Sequence, residues 1–397
     1  MASNKLLPIF LIVAVDVLGL TIVIPLLPFY AEKFGASPFV VGLIVTSYSA
    51  CQMLSGPLLG ALSDRWGRRP VLLFSQIGTF LGFLTLAFAE SLSMVFVARI
   101  IDGVTAGNLS IAQAAISDVT RPEERAKSFA LIGIAFGLGF LFGPAISGFL
   151  AQYGYHYPIF ASAGLSLTSI IATYFLLPRA PMVTKAAPAS AIIHWKFFTH
   201  YFKDRKLAGL LIQFFLFSLA FGLFLSGFAL FAERRFSYNG RPFGAREVGY
   251  VFAFSGLIGL IVQGGALGRL VSAFGEKKLS RAGFILSSLG YVLLASTYVP
   301  LLLFLPIIVS SIGQAILRPS LTSLISRSAG SDEQGTVLGV SQSLYALAQM
   351  TAPIIGGLFI EYGLLTQWAL LPAVLTLTGL ALSVRVSSPM QNSSETI

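Results

Sequence analysis

The sequence predicts an all-α membrane protein of twelve transmembrane helices in two pseudo-symmetric six-helix bundles. Three observations lead there. Of 397 residues, 55% are hydrophobic and 11% charged, with mean hydropathy +0.83; a soluble domain is about a quarter charged. Apolar runs of ~20 residues, enough to cross a ~30 Å hydrocarbon core, recur from end to end. Motifs of the first half also return in the second. The ~10-residue alternating segments of a β-barrel are absent.

The predicted spans, in order, begin with 6–30. That run is too long for the apolar core of a leader peptide and lacks a small-residue cleavage site, so it is a membrane helix. Spans 38–62 and 70–89 flank a charged patch within GPLLGALSDRWGRRPVLL at 56–73, the pattern of a tight loop at a membrane surface. Span 91–118 is apolar except for Arg99, Asp102 and a few polar side chains. Span 126–153 is rich in glycine, and 157–178 closes the first bundle. The second bundle is read as 206–232, 245–272, 279–298, 300–327, 334–361 and 364–388. The domains are therefore 1–180, a cytoplasmic linker at 181–205, and 206–397. In and beside the linker, IIHWKFFTHYFKDRK (192–206) mixes aromatics with bases, as does a helix lying on the membrane surface.

Charge sets the orientation. With the N-terminus inside, the basic residues at 65–69, 121–127, 179–206, 269–281, 327 and 385 face the cytoplasm. Outside lie Lys33, Arg234, Arg235, Arg241 and Arg246. Basic loops stay in the cytoplasm, so both termini are expected inside, in a bacterial inner membrane. The net charge of +10 does not indicate nucleic acid, because the bases fall in short loops between apolar runs. Cys51 is the single cysteine, so no intrachain disulfide or thiolate cluster forms. His156, His194 and His200 form no ligand set, and no metal or cofactor is expected. No phosphate-binding GxxxxGK[ST] loop or nucleophile–base pair appears, so the chain is not read as an enzyme.

The repeat is visible in three places. Gly60–Gly67 aligns with Gly268–Gly275, with Ser272 where Asp64 stands. GLGFLFGPAISG (137–148) is echoed by AQMTAPIIGG (348–357), Pro144 matching Pro353. Glu123–Glu124 matches Asp332–Glu333. Such duplication places a substrate site between the halves near the midplane.

Charged residues within spans carry the chemistry. Asp16 lies ~15 Å into its helix, near mid-bilayer. A carboxylate there is costly unless it faces a wet cavity or a partner; Asp16 is read as a proton-coupling acid that changes its protonation during transport, against the plainer reading of a structural hydrogen bond to a neighbouring helix. Arg99 and Asp102, three apart, share a helix face that continues through Ala106, Ser110, Gln113 and Ser117. That stripe should line a cavity, or else the pair satisfies itself and holds the fold. Arg318 lies ~13 Å from the inner surface and is read as an anion-binding fork, a snorkelling cation or a partner for an acid across the halves. Gln76, Asn108, Gln113, Gln213, Gln263 and Gln314 are further cavity candidates.

The loop with Gly60, Asp64, Gly67, Arg68 and Arg69 resembles the loop between helices two and three of the major facilitator superfamily of secondary transporters. The resemblance implies a latch in which Asp64 and Arg68 pair with helix-end charges such as Asp118; otherwise the arginines only fix topology. Gly139, Gly143, Pro144 and Gly148 resemble the fifth-helix motif of drug/proton antiporters, on the plainer reading a packing motif. Asp16 in LIVAVDVLGLTIVIPLLP (11–28) resembles the first helix of tetracycline and related exporters. Arg99 with Gly103 and Gly107 resembles the fourth-helix arginine motif of proton antiporters, in which the arginine tunes a proton-carrying acid, here Asp102. Acids that tetracycline exporters carry in spans three and nine are replaced by Gly82 and Ser287. The resemblance implies a monomer in the bilayer that exports amphipathic small molecules against entering protons, the proton gradient being the driving force. The alternatives are uptake or exchange of a polar metabolite or organic anion, and a non-transporting receptor or lipid-binding bundle.

Overall fold

The computed structural model describes residues 3–120, 125–177, 204–328 and 334–385. The linker, its predicted surface helix up to residue 203, and the two acidic turns lie outside the described residues. The first half comprises α1 (Ser3–Glu32), α2 (Pro38–Trp66), α3 (Arg68–Ala87), α4 (Leu92–Val104), α5 (Asn108–Val119), α6 (Arg125–Ala151) and α7 (His156–Leu176). The second comprises α8 (Arg205–Arg235), α9 (Ala245–Ile261), a π-helical turn (Val262–Ala266), α10 (Leu267–Ser296), a 3-10 turn (Pro300–Leu303), α11 (Phe304–Ser328), α12 (Gln334–Glu361) and α13 (Leu365–Arg385).

Among the described residues, 11 helical stretches are long and apolar enough to cross a membrane. One of them, Ala245–Ser296, has 52 residues, which at ~1.5 Å each is far longer than a bilayer is thick. It folds back at Gly275, where φ is +74°, so the expected twelve crossings are present. Gly67 does the same between α2 and α3 at φ +92°; side chains rarely adopt this region. An even number of crossings puts both described ends on one face, called here the inner face.

Helix starts follow the local chemistry. Ser37 caps α2 by accepting from the Val40 amide at 3.4 Å, with Pro38 in the first turn. Ser91 caps α4, and Asp204 caps α8 by accepting from the Lys206 amide at 2.8 Å. Two features differ from the sequence reading. The fourth span is broken at 105–107, and Ser75 of α3 bridges the gap. Its hydroxyl donates to the Thr105 carbonyl and accepts from the Gly107 amide. The break resets the helix register, so Ser110 turns from the expected stripe towards α2 and lies against Gly56. A two-residue hairpin, β1 (Ser237–Tyr238) and β2 (Arg241–Pro242), crowns the outer face. Its Asn239–Gly240 turn has φ +51° and +76°, as a type I′ turn requires.

The cores show how the halves meet. Towards the outer face one apolar cluster runs through both halves, from Tyr30, Ile44 and Phe83 to Phe228, Phe231, Tyr291 and Trp368. Towards the inner face each half has its own cluster, around Ile12 and Ile111 in one and Phe214 and Leu321 in the other. Lipid is as apolar as leucine, so this packing is held by close van der Waals contact rather than by water exclusion. Trp368 stacks on Phe231 at 4.7 Å.

Candidate functional site

Two helix pairs form the seam between the halves, and both are built on glycine. In the first, α2 runs against α12. A Cβ on Gly357 would lie 2.5 Å from the Pro38 carbonyl oxygen, and Gly42 faces the Pro353 carbonyl in the same way. Thr46 then donates to the Met350 carbonyl at 2.8 Å. In the second pair, α6 runs against α9. Gly148 faces the Arg246 carbonyl, a Cβ on Gly249 would lie 2.5 Å from the Pro144 carbonyl oxygen, and one on Gly256 would lie 2.5 Å from that of Phe140. Below these levels, Gly133, Gly259, Gly264 and Gly339 meet nothing within 4 Å. The seams are therefore shut at the outer face and parted at the inner one. Polar contacts clasp the shut side. Glu361 of α12 accepts from the Ser37 hydroxyl at 2.8 Å and the Phe39 amide at 2.9 Å, capping α2 from the other half. Arg234 reaches Glu32 at 2.5 Å.

The predicted fifth-helix motif thus has two faces. Gly139 and Gly143 admit α1, with Thr21 donating to the Gly139 carbonyl at 2.8 Å. Pro144 and Gly148 face α9 across the seam.

The structure brings the charges of the first half together. Arg99 and Asp102 pair at 3.1 Å, each side chain 3% exposed. The expected cavity-lining position is therefore not seen: the pair is sealed between α2, α3 and α4. The Arg99 guanidinium lies 5.7 Å from the ring centres of both Tyr48 and Phe83. Its Nε and Nη2 atoms have no partner. Gly82 makes room for this pair: a Cβ there would lie 2.9 Å from the Asp102 Cβ. The span-three position that lacks an acid therefore abuts the acid that span four supplies. Asp16 is half-buried and accepts from Gln76 Nε2 at 3.4 Å; the same nitrogen donates to Ser169 at 2.7 Å. Gln76, fully buried, thus ties α1 to α7 rather than lining open space.

At the inner face Arg68 joins three helix ends. It meets Asp64 at 2.5 Å and Asp118 at 2.7 Å, and donates to Ser63 at 2.7 Å. Arg69 donates to the Tyr174 carbonyl and lies over the Tyr174 ring. Gly60 lies against Ser110. The second half has a counterpart that sequence reading missed. Glu276, just after Gly275, pairs with Arg327 at 3.1 Å and accepts from Ser323 at 2.7 Å.

The other predicted residues scatter. Gln213 is buried and donates to the Gly209 carbonyl of its own helix at 3.1 Å, which takes it out of the cavity. Gln314 donates to Tyr291 at 3.2 Å. Gln263 is exposed in the π-helical turn, and Gln113 is half-buried on α5. The half-buried Asn108 keeps a buried, unpartnered Oδ1. Arg318 is exposed, and its guanidinium lies 5.0 Å from the Tyr345 ring centre. Ser287 is buried against Gly313.

With this geometry in view, the comparisons with known proteins are decisive. The Major Facilitator Superfamily profile matches residues 9–271 and 265–396. The chain belongs to the major facilitator superfamily. Membership makes it a multi-pass membrane transporter rather than an enzyme. It is 31% identical over 364 residues to the class C tetracycline resistance protein of Escherichia coli, covering 89% of each chain. It is 26% identical to multidrug resistance protein 2 of Bacillus subtilis (strain 168), covering 87% of this chain and 86% of that one. The fold matches the human organic anion transporter MFSD10 (TETRAN), with TM-score 0.73 and 24% identity over 96% of this chain and 99% of that one. It also matches the nucleoside transporter NupG, with TM-score 0.76 and 15% identity over 98% and 100%.

Proposed function

We propose that the protein exports amphipathic, drug-like molecules from a bacterial cell by alternating access, driven by protons entering across the inner membrane. The observation that carries this reading is the buried Arg99–Asp102 pair behind a seam that is shut on one face and parted on the other. The resistance and efflux functions in the names of its relatives support it. A carboxylate inside a membrane helix marks an ion or proton pathway by default. Asp102 and Asp16 are the proton carriers in this reading, and Arg99 holds Asp102 ready. The positive-inside bias puts both termini and the parted face in the cytoplasm, where substrate enters. The inner loop around Arg68 is the latch that helps choose between the two open states.

The test is flux in proteoliposomes with tetracycline and ethidium as probes, measured with and without a pH gradient. Gradient-driven transport of a probe is expected. Asp102→Asn or Asp16→Asn should abolish driven transport while leaving probe exchange intact. Normal driven transport in both variants removes these acids from the mechanism, and flux indifferent to the gradient removes proton coupling.

A further inference from the structure

The seam between α2 and α12 ends in a pair of matched tyrosines. The contacts step down from Pro38–Gly357 through Gly42–Pro353 to Thr46–Met350. Tyr48 follows on α2 and Tyr345 on α12, so both lie where the shut part of the seam gives way to the parted part. Each is half-buried, and each accepts a hydrogen bond at 3.0 Å from a glutamine four residues along its own helix, Gln52 in one case and Gln349 in the other. A hydroxyl whose oxygen already accepts from an amide keeps its proton free to donate. Each half therefore brings one phenol donor to the level at which the inner opening begins.

Cations stand behind both rings. Arg318 lies 5.0 Å from the Tyr345 ring centre and has no carboxylate partner among the described residues. Arg99 lies 5.7 Å from the Tyr48 ring centre, almost wholly buried, with Nε and Nη2 unpartnered. Asp102 balances the charge of Arg99, which leaves Arg318, with no carboxylate partner among the described residues, as the unpaired cation beside the two phenol donors. Flat aromatic faces beside aligned donors suit a planar ligand with an acceptor-rich or anionic edge.

We infer that Tyr48 and Tyr345, braced by Gln52 and Gln349 and backed by Arg99 and Arg318, form the substrate site, and that it selects planar aromatic molecules carrying an anionic or acceptor-rich edge. This deepens the export reading and rests on it. Tyr48 also separates ligand from the Arg99–Asp102 pair. A ligand that displaces the Tyr48 ring changes the cover over that pair, so cargo and proton communicate through one side chain.

The test is equilibrium binding to the purified full-length protein, read by fluorescence anisotropy with no gradient present. Fluorescein serves as the planar anion and ethidium as the planar cation. Fluorescein is expected to bind the more tightly. Tyr48→Phe/Tyr345→Phe keeps both rings and removes only the hydroxyls. It should weaken fluorescein about tenfold, the effect of losing hydrogen bonds to a charged group, with ethidium unchanged. Arg318→Gln, which leaves the seam intact, should do the same independently. Equal or tighter ethidium binding overturns the inference, as does unaltered fluorescein affinity in both variants. Selective fluorescein binding in a protein that shows no gradient-driven flux would uphold this site and sink the export reading, so the two failures are told apart.

Discussion

In the first half Arg68 opens α3 just after Gly67 and reaches Asp118, at the end of α5, at 2.7 Å. In the second half Glu276 opens the second limb of α10 just after Gly275 and reaches Arg327, at the end of α11, at 3.1 Å. The glycine turn, the helix start and the far helix end are the same in both, and the signs are reversed. The duplication has therefore kept a joint that ties the second helix junction to the fourth crossing, and a mirrored pair of charges does that job equally well. What the halves do not share is the third charge. Asp64 gives the first joint an acid beyond what Arg68 neutralises, whereas Ser272 leaves the second joint balanced. The interiors diverge likewise. Arg99 and Asp102 are buried in the first half, while the buried core of the second is aromatic, around Phe228, Phe231, Tyr291 and Trp368. One half carries charge-handling chemistry and the other a stiff aromatic frame.

The largest effect that bears on this contrast is expected from Arg99→Met. It leaves Asp102 buried and unpaired, which costs roughly 3–5 kcal/mol. Adding Asp102→Asn should recover much of the loss. Thermal unfolding in detergent reads both variants, and additive effects would show that the pair is not a unit. Next comes Gly249→Leu. Its side chain would be driven into the Pro144 carbonyl, so the outer seam cannot shut. A cysteine placed at the buried Val41, in a Cys51→Ser background, should become reactive to an impermeant maleimide added from outside; unchanged labelling would show that the second seam does not control the first. A smaller effect is expected at the inner joint. Arg68→Asp should cost at most about 1 kcal/mol, because Asp118 is 51% exposed. Adding Asp118→Arg copies the polarity of the second half and should restore stability. If it does not, the mirrored joints are not equivalent. The smallest change in stability belongs to Asp64→Asn, about 0.5 kcal/mol, because its pair with Arg68 closes across the Gly67 turn with the Asp64 side chain 39% exposed. Its expected signature is instead a shifted balance of inward and outward labelling, and an unchanged balance reduces Asp64 to a topology marker.

The crossings were legible because span length and apolar content are properties of the chain alone; the eleventh is met at both ends, 334–361. The turn at Gly275 was visible through its alignment with Gly67. The gap in the fourth span was not, since Ser75, thirty residues earlier, supplies the bonds that stabilise it. Gln213 was misread because a lone polar residue on an apolar helix can face inward or bond its own backbone, and only packing decides. Glu276–Arg327 was overlooked by looking for an acid at Ser272, when the matching positions held the same joint with its charges exchanged. The sealed position of Arg99 and Asp102 depends on Tyr48 and Phe83, contributed by two other helices.

The bare-backbone seams have a mechanical consequence. Where a carbonyl rests on a glycine, parting the surfaces leaves little apolar side chain stranded and asks few rotamers to change. The attraction that holds them is dispersion, which fades within about an ångström of separation. Such an interface is firm when closed and nearly frictionless once ajar. The swing between states then has no adhesive half-way point, and the polar clasps of Glu361 on the start of α2 and of Arg234 on Glu32 supply its discrete clicks.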